Sequence, residues 1–208
     1  ASPTLVNCSF LANASSASGG ALYIQSTSTP TFANCLFIGN SSTTSGGALY
    51  NVSSSPVFAN CDFVANSSAV GPAVYNASSY PKLTNCILWN NGANPVFKYS
   101  GAPSITFCVI EGGYTGTGNK NLNPLFTRNP SVGTYGYWGA PDDDFGDLRL
   151  QIGSPCINAG VADTTGMNLP LMDLAGNYRI WDNRIDMGCY EYGSEPVGND
   201  DPVYPVQA

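Results

Sequence analysis

The sequence has no histidine and few charged side chains, and both shortages narrow the chemistry open to it. Only 10% of its 208 residues are Asp, Glu, Lys or Arg. Without histidine, the usual Ser-His-Asp and Cys-His catalytic arrangements and His-ligated metal sites are excluded. Seven basic against 14 acidic residues give a net charge of -7, which argues against nucleic-acid binding, since that requires a basic surface.

Long apolar runs are also missing: no stretch of about 18 apolar residues occurs, so the sequence predicts no membrane-spanning helix. No signal peptide is evident, and we expect a processed chain in preference to a cytosolic one. In place of charge, the sequence carries 22 Ser, 14 Thr, 21 Asn and 23 Gly, which are small or polar but neutral.

The few charges are unevenly distributed. Residues 1–110 contain Asp62, Lys82 and Lys98 as their only charged side chains, whereas residues 111–208 contain 13 acidic and five basic ones. The sequence therefore predicts two regions of different chemistry that meet near Glu111.

The first region is a repeat of about 25 residues. A copy reads STPTFANCLFIGNSSTTSGGALY (28–50): Pro, Asn-Cys, an apolar pair, Asn, a Ser/Gly loop and Gly-Gly-Ala-Leu-Tyr. One cysteine falls in each copy, at spacings of 22 to 27 residues: Cys8, Cys35, Cys61, Cys86 and Cys108. Three short β-like runs per copy are separated by Asn, Gly and Ser, which suit sharp corners, and no helical apolar period appears.

Such a copy cannot bury its apolar residues alone, so the repeats predict an all-β parallel solenoid of about five rungs, a rung being one circuit of the chain. In that register cysteine stacks on cysteine, Phe37 stacks between Phe10 and Phe63, and asparagines form ladders at the corners. We interpret the five cysteines as a buried packing ladder, because parallel Cβ directions suit disulfides poorly and the spacing is unlike that of zinc sites.

The rungs resemble the right-handed parallel β-helix repeats of bacterial secreted and surface proteins, including polymorphic outer-membrane proteins. Residues 147–192, with the motifs SPCINAG (154–160) and DMGCYE (186–191), resemble the terminal module of choice-of-anchor Q proteins. The resemblances imply a right-handed β-helix (1–111), an irregular β-rich capping module (112–192) and an extended tail (193–208). They also imply an extracellular or bacterial cell-surface location and a structural or adhesive role, with no uniform activity.

Several polar groups in the second region are candidate sites. Four candidate calcium ligands lie close together in a Gly/Pro-flanked loop, for which a solvated acidic loop is the alternative: Asp142, Asp143, Asp144 and Asp147. A further acidic group alternates with two arginines, which favours ion pairs and turn caps: Asp173, Asp182 and Asp186, with Arg179 and Arg184. Cys156 and Cys189 lie outside the ladder and are candidates for a disulfide in an oxidising compartment.

No catalytic residues are predicted. Asp62, Lys82 and Lys98 occupy different points of their rungs, whereas a glycosidase or lyase requires acids and bases that converge on one bond. The aromatic residues of GTYGYW (133–138) are candidates for a sugar-binding platform, and covering the end of the β-helix is the alternative: Tyr135, Tyr137 and Trp138.

The sequence begins inside a rung, which predicts an uncovered edge at Leu5, Cys8 and Phe10. The tail residues Val203, Tyr204 and Val206 would add to such an edge as a strand. We therefore expect a homo-oligomer or a head-to-tail fibre without nucleic-acid partners, unless a preceding segment or another part of the chain covers the edge. The functional hypothesis is a non-enzymatic extracellular structural or adhesive protein, and the alternative is a secreted β-helix that binds or processes carbohydrates, including cell-surface glycans.

Overall fold

The computed structural model describes residues 2–182 and 184–194, and within them the chain is all β, without helices. This part of the chain accordingly contains no helix long and apolar enough to cross a membrane. In chain order the strands are β1 (Thr4–Val6), β2 (Ser9–Leu11), β3 (Ala14–Ser15), β4 (Leu22–Ile24), β5 (Thr31–Ala33), β6 (Leu36–Ile38), β7 (Ser41–Ser42), β8 (Leu49–Val52), β9 (Val57–Ala59), β10 (Asp62–Val64), β11 (Val74–Ala77), β12 (Lys82–Thr84), β13 (Ile87–Trp89), β14 (Val96–Lys98), β15 (Ser104–Thr106), β16 (Val109–Ile110), β17 (Phe126–Arg128) and β18 (Asp147–Leu150).

Three parallel sheets run along a solenoid and form its faces. The first face has the order β1-β5-β9-β12-β15, the second β2-β6-β10-β13-β16 and the third β4-β8-β11-β14. Each strand pairs with its equivalent in the next rung, so that Leu5 lies opposite Phe32 and Phe32 opposite Phe58. The solenoid therefore has four complete rungs and a partial fifth, which confirms the fold predicted from the repeats.

Asparagines shape the corners of the rungs. The first corner of each of four rungs is an asparagine with φ between 49° and 57°: Asn7, Asn34, Asn60 and Asn85. Asparagine adopts this left-handed conformation more readily than most residues, because its short side chain hydrogen-bonds locally. In a second column, the Nδ2 of each asparagine donates to the Oδ1 of the next at 2.9–3.0 Å: Asn13, Asn40, Asn66 and Asn91. The predicted corner ladders are confirmed.

Aromatic and cysteine side chains fill the interior. The Phe37 ring stacks between those of Phe10 and Phe63, with centroids 4.7 and 4.6 Å apart. The four cysteines after Cys8 are fully buried in the same core, and all five are unpaired thiols that donate to nearby carbonyl groups. Burial raises the pKa of the Cys61 and Cys86 thiols, so these side chains act as small neutral packing groups.

A short segment after the repeats covers the last rung. Lys120 forms a parallel bridge with Val109, and the Phe107 amide donates to the Thr117 carbonyl at 2.8 Å. The Asn119 side chain donates to the Ile105 carbonyl at 3.0 Å, so that it continues the pattern of corner amides. This segment therefore covers the backbone of the last rung.

The following residues form what we call the flank module (121–182 and 184–194), which lies along the outside of the second face. Strands of this face bury alternate side chains inward and the remaining ones outward, as Phe37 and Leu36 show in β6. Five outward residues are apolar and belong to a second core with the module: Leu36, Ile38, Val64, Ile87 and Val109. The region predicted as a capping module therefore covers one side of the β-helix and is not confined to its end.

Candidate functional site

The first rung contains three of the residues predicted to form an assembly surface. Leu5, Cys8 and Phe10 are only half-buried, whereas their equivalents in the second rung are fully buried. Within the described residues, β1, β2 and β4 each pair with a strand on one side only. The rung carries no charged side chain, so no repulsion opposes a further layer on this edge. The predicted partners Val203, Tyr204 and Val206 lie outside the described residues.

The flank module attaches where the first column of corner amides is interrupted. Side-chain hydrogen bonds link this column: the Asn34 Nδ2 donates to the Asn7 Oδ1, and the Asn85 Nδ2 donates to the Asn60 Oδ1. At the step between the second and third rungs, the Asn60 Nδ2 instead donates to the carbonyls of Asp186 and Gly188 at 2.9 Å. The corner therefore supplies polar groups that bind the flank module.

Two further corner amides contact the module. The Arg179 guanidinium donates to the Asn34 Oδ1, and the Val161 amide donates to the Asn85 Oδ1 at 2.8 Å. Three consecutive rungs are thus fastened to residues between 161 and 188.

Two buried ionisable residues, Asp62 and Arg179, lie within this interface. Asp62 is fully buried; its Oδ2 accepts from the Cys189 amide at 3.2 Å, and its Oδ1 has no partner. Arg179 donates to the carbonyls of Gly188 and Cys189 at 3.1 and 2.8 Å, and its Nε is unpaired. Burial raises the pKa of Asp62 to about 7, against the opposing effects of the Cys189 amide and the Arg179 charge.

Three more carboxyl groups organise the irregular backbone of the module. Asp173 accepts from the amides of Ala175, Asn177 and Glu191 at 2.8–3.0 Å. Asp186 accepts from Asn158 and Tyr192 at 2.6 and 2.7 Å. These bonds satisfy amides that a sheet would otherwise pair.

Glu191 completes this group by accepting from the Trp181 and Asp186 amides at 3.3 and 3.2 Å. Burial raises the pKa of Asp186 to about 6 and, together with the Asp186 charge, that of Glu191 to about 9. The predicted turn cap is therefore present at Asp173, whereas Asp186 accepts from amides six and 28 positions away. The expected ion pairs are not, since Arg179 and Arg184 donate to backbone carbonyls and form no salt bridge within the described residues.

The predicted disulfide between Cys156 and Cys189 is not formed. Both cysteines are buried free thiols of the second core. The Cys189 Sγ donates to the carbonyls of Cys35 and Asn60 at 3.3 and 3.1 Å, toward the β-helix. The Cys189 thiol is thus hydrogen-bonded to the corner that precedes the second face, and it is not bonded to Cys156.

The predicted calcium ligands do not converge, and within the described part of the chain no three acidic or thiol groups are placed to hold a metal ion. Each carboxylate has a separate partner: Asp142 accepts from Thr134, Asp143 from the Gly139 amide, Asp144 from Arg128 and Asp147 from Arg149. Each carboxylate is hydrogen-bonded to a donor in or near the loop, so these bonds stabilise the loop conformation.

The three predicted platform aromatics do not share one surface. Tyr135 and Tyr137 are exposed and meet edge to face, with centroids 6.3 Å apart. Trp138 instead lies on the second face and stacks on Phe145 at 5.6 Å. Its ring-fusion carbon Cδ2 is against Gly39, where a Cβ would collide with the indole. Trp138 therefore anchors the loop instead of presenting an open ring face beside the tyrosines.

Next to Trp138 lies an open cleft of about 460 Å³ that the sequence analysis did not predict. The second-face corner forms one wall, including Ala65 and Asn90, and residues 130–132 form the other. No charged residue lines it. Asn and Ser are so frequent in this sequence that no residue pattern singles out the cleft.

Comparison with protein families gave one finding. A family model described as right handed beta helix region matches residues 1–135. Comparisons with curated proteins and with solved structures gave no match.

Proposed function

We propose that this chain, which belongs to the right-handed β-helix family, is a non-enzymatic extracellular structural or adhesive protein that assembles through its first rung. In a head-to-tail fibre, the tail of one copy adds to β1 or β2 of the next copy as a further strand. The rungs resemble those of polymorphic outer-membrane proteins, and residues 147–192 resemble choice-of-anchor Q modules. Both resemblances favour a location at a bacterial cell surface.

The first rung is the observation that carries this proposal. Among the described residues, each of its strands has a neighbour on one side only, and Leu5 and Phe10 remain half-buried although they belong to the interior columns. A further β-layer would bury these side chains and pair the free backbone groups.

A lysine on the open edge tests the proposal. Position 4 is suitable because Thr4, Thr31, Val57 and Lys82 occupy one register column, and the β-helix already accommodates a lysine there. Thr4→Lys places a charge on the assembly edge, whereas Ser104→Lys places the same charge in the same column of the fifth rung.

We expect the parent chain and S104K to form assemblies in sedimentation velocity and negative-stain images, and T4K to remain monomeric. A parent chain that is monomeric at about 100 μM, or assembly that T4K leaves unchanged, would refute this function. Circular dichroism of both variants verifies that the β-helix is folded.

Carbohydrate processing, the alternative, has less support. Asp62 is buried beneath the flank module, and Lys82 and Lys98 lie on the first and third faces. The buried carboxyl groups of the module accept from backbone amides rather than facing a cleft. Carbohydrate binding has a different basis, in the cleft beside Trp138.

A further inference from the structure

The cleft beside Trp138 combines free polar groups with an uncharged lining. The Asn90 side chain is exposed and makes no hydrogen bond within the described part of the protein, and the hydroxyls of Ser67 and Ser131 are likewise unpaired. An amide supplies both donors and an acceptor, and each hydroxyl supplies one donor and two acceptor positions. The cleft can therefore bind a ligand that alternates donors and acceptors but carries no charge.

The wall on the β-helix side is rigid before any ligand arrives. Asn66 and Asn91 line this wall, and their side chains are already hydrogen-bonded within the corner ladder. The Asn66 Nδ2 donates to the Asn91 Oδ1 at 3.0 Å and to the Phe37 carbonyl at 2.9 Å. The ladder fixes the corner, while Asn90, the residue before Asn91, has a left-handed φ of 57° and an exposed side chain.

The opposite wall is held equally firmly. Ser131 and Asp144 exchange backbone hydrogen bonds at 2.8 and 2.9 Å, and Arg128 binds the Asp144 carboxylate at 2.6 Å. Trp138 is fixed against Gly39 and Phe145. Groups that are already in place lose little conformational entropy on binding, which favours recognition of a weakly interacting ligand.

We infer that this cleft binds a neutral oligosaccharide. Vicinal hydroxyls match the free amide and hydroxyl groups, and the edge of Trp138 with Ala65 and Val132 offers apolar surface for the C–H faces of a pyranose. Tyr135 and Tyr137 are exposed on the same loop as Trp138 but do not line the cleft. The uncharged lining excludes recognition of uronic acids through a basic residue.

The matched variants Asn90→Gly and Asn94→Gly test this inference. Both residues have left-handed φ, 57° and 54°, so glycine preserves the backbone at each, but only Asn90 lines the cleft. The probes are cellohexaose, xylohexaose, mannohexaose and N-acetylated chitohexaose, with hexagalacturonate as the charged counterpart. Isothermal titration calorimetry and tryptophan fluorescence measure binding to the full chain.

We expect at least one neutral hexaose to bind with a Kd of about 1 mM or tighter, and hexagalacturonate not to bind. N90G should weaken that binding about tenfold, Ser131→Ala should weaken it as well, and N94G should leave it unchanged. The inference is overturned if no neutral hexaose binds, if hexagalacturonate binds equally well, or if N90G and N94G behave alike. The same titration on T4K separates this site from assembly, since the cleft predicts binding by that variant whether or not the parent chain forms fibres.

Discussion

Replacing Asp62 with asparagine should make the stability of the protein less dependent on pH. The carboxyl group is fully buried, its Oδ1 has no hydrogen-bond partner, and burial raises its pKa from 3.8 to about 7. The folded state therefore binds the Asp62 proton more tightly than the unfolded state does. The stabilisation is fully present below the unfolded pKa, and it is lost as the pH rises through about 7.

The size of the effect follows from the shift in pKa. At about 1.4 kcal/mol per pKa unit, full ionisation of Asp62 lowers the free energy of unfolding by about 4 kcal/mol. About 3 kcal/mol of this loss falls between about pH 5 and about pH 8.5. D62N removes the titrating group and keeps an oxygen to accept from the Cys189 amide, so its stability relative to the parent should rise by that amount over this interval.

Equilibrium urea unfolding at the two pH values, followed by tryptophan fluorescence, measures the difference. Trp89 and Trp138 border the second core and report on the attachment of the flank module. Asp163→Asn is the matched control, because Asp163 is exposed and hydrogen bonds from the Thr165 backbone and side chain lower its pKa. Parallel stability curves for D62N and the parent protein would refute the assignment of a buried, destabilising carboxylate.

Three further substitutions test other parts of the structure. Gly39→Ala should destabilise the protein by about 2 kcal/mol more than Gly112→Ala in urea unfolding, because both have left-handed φ but only a Cβ at Gly39 collides with the indole. Equal losses would contradict the packing of that loop. Phe37→Ala should cost about 3–5 kcal/mol in the same assay, since its ring stacks on both sides in the interior; a loss below about 1 kcal/mol would rule out the stacked column. Asn60→Gly preserves the left-handed corner but removes two donors to the flank module, so limited proteolysis should cleave the module faster while the β spectrum in circular dichroism persists. An unchanged cleavage rate would show that this amide does not hold the module.

The register of the β-helix could be predicted because every rung repeats the same local choices. Alignment on cysteine places Phe10, Phe37 and Phe63 in one column, and the structure stacks them there. Asparagine occurs where the chain needs a left-handed corner, so backbone preference and apolar stacking select the same arrangement.

The attachment of the flank module could not be predicted in the same way, because it joins residues far apart in sequence. One signal was nevertheless present: strands such as Leu36–Ile38 and Ile87–Trp89 are apolar on both faces, which is typical of a sheet covered on both sides. Asp62 interrupts this apolar column between Leu36 and Ile87, so a buried polar partner was needed there.

The acidic loop shows a different limit of the sequence. Closely spaced aspartates suggested a shared cation, but spacing does not say where each carboxylate points. Asp142 and Asp144 find Thr134 and Arg128 within the same loop. The pKa of Asp142 is lowered by hydrogen bonds from Thr134, and that of Asp144 by a hydrogen bond from Arg128, so protein donors already stabilise the charged forms.

The attachment of the flank module to three rungs also determines the order in which the chain can fold. Neighbouring rungs pair over about 25 residues, whereas the Asn60 side chain meets Asp186 across 126 positions. The module hydrogen-bonds to Asn34, Asn60 and Asn85, and these three side chains are brought together only when their rungs stack. We therefore expect docking to be a late, long-range step, and interactions that form late retard unfolding more than they speed folding. On this reasoning we expect the flank module to slow the unfolding of a β-helix that is already built.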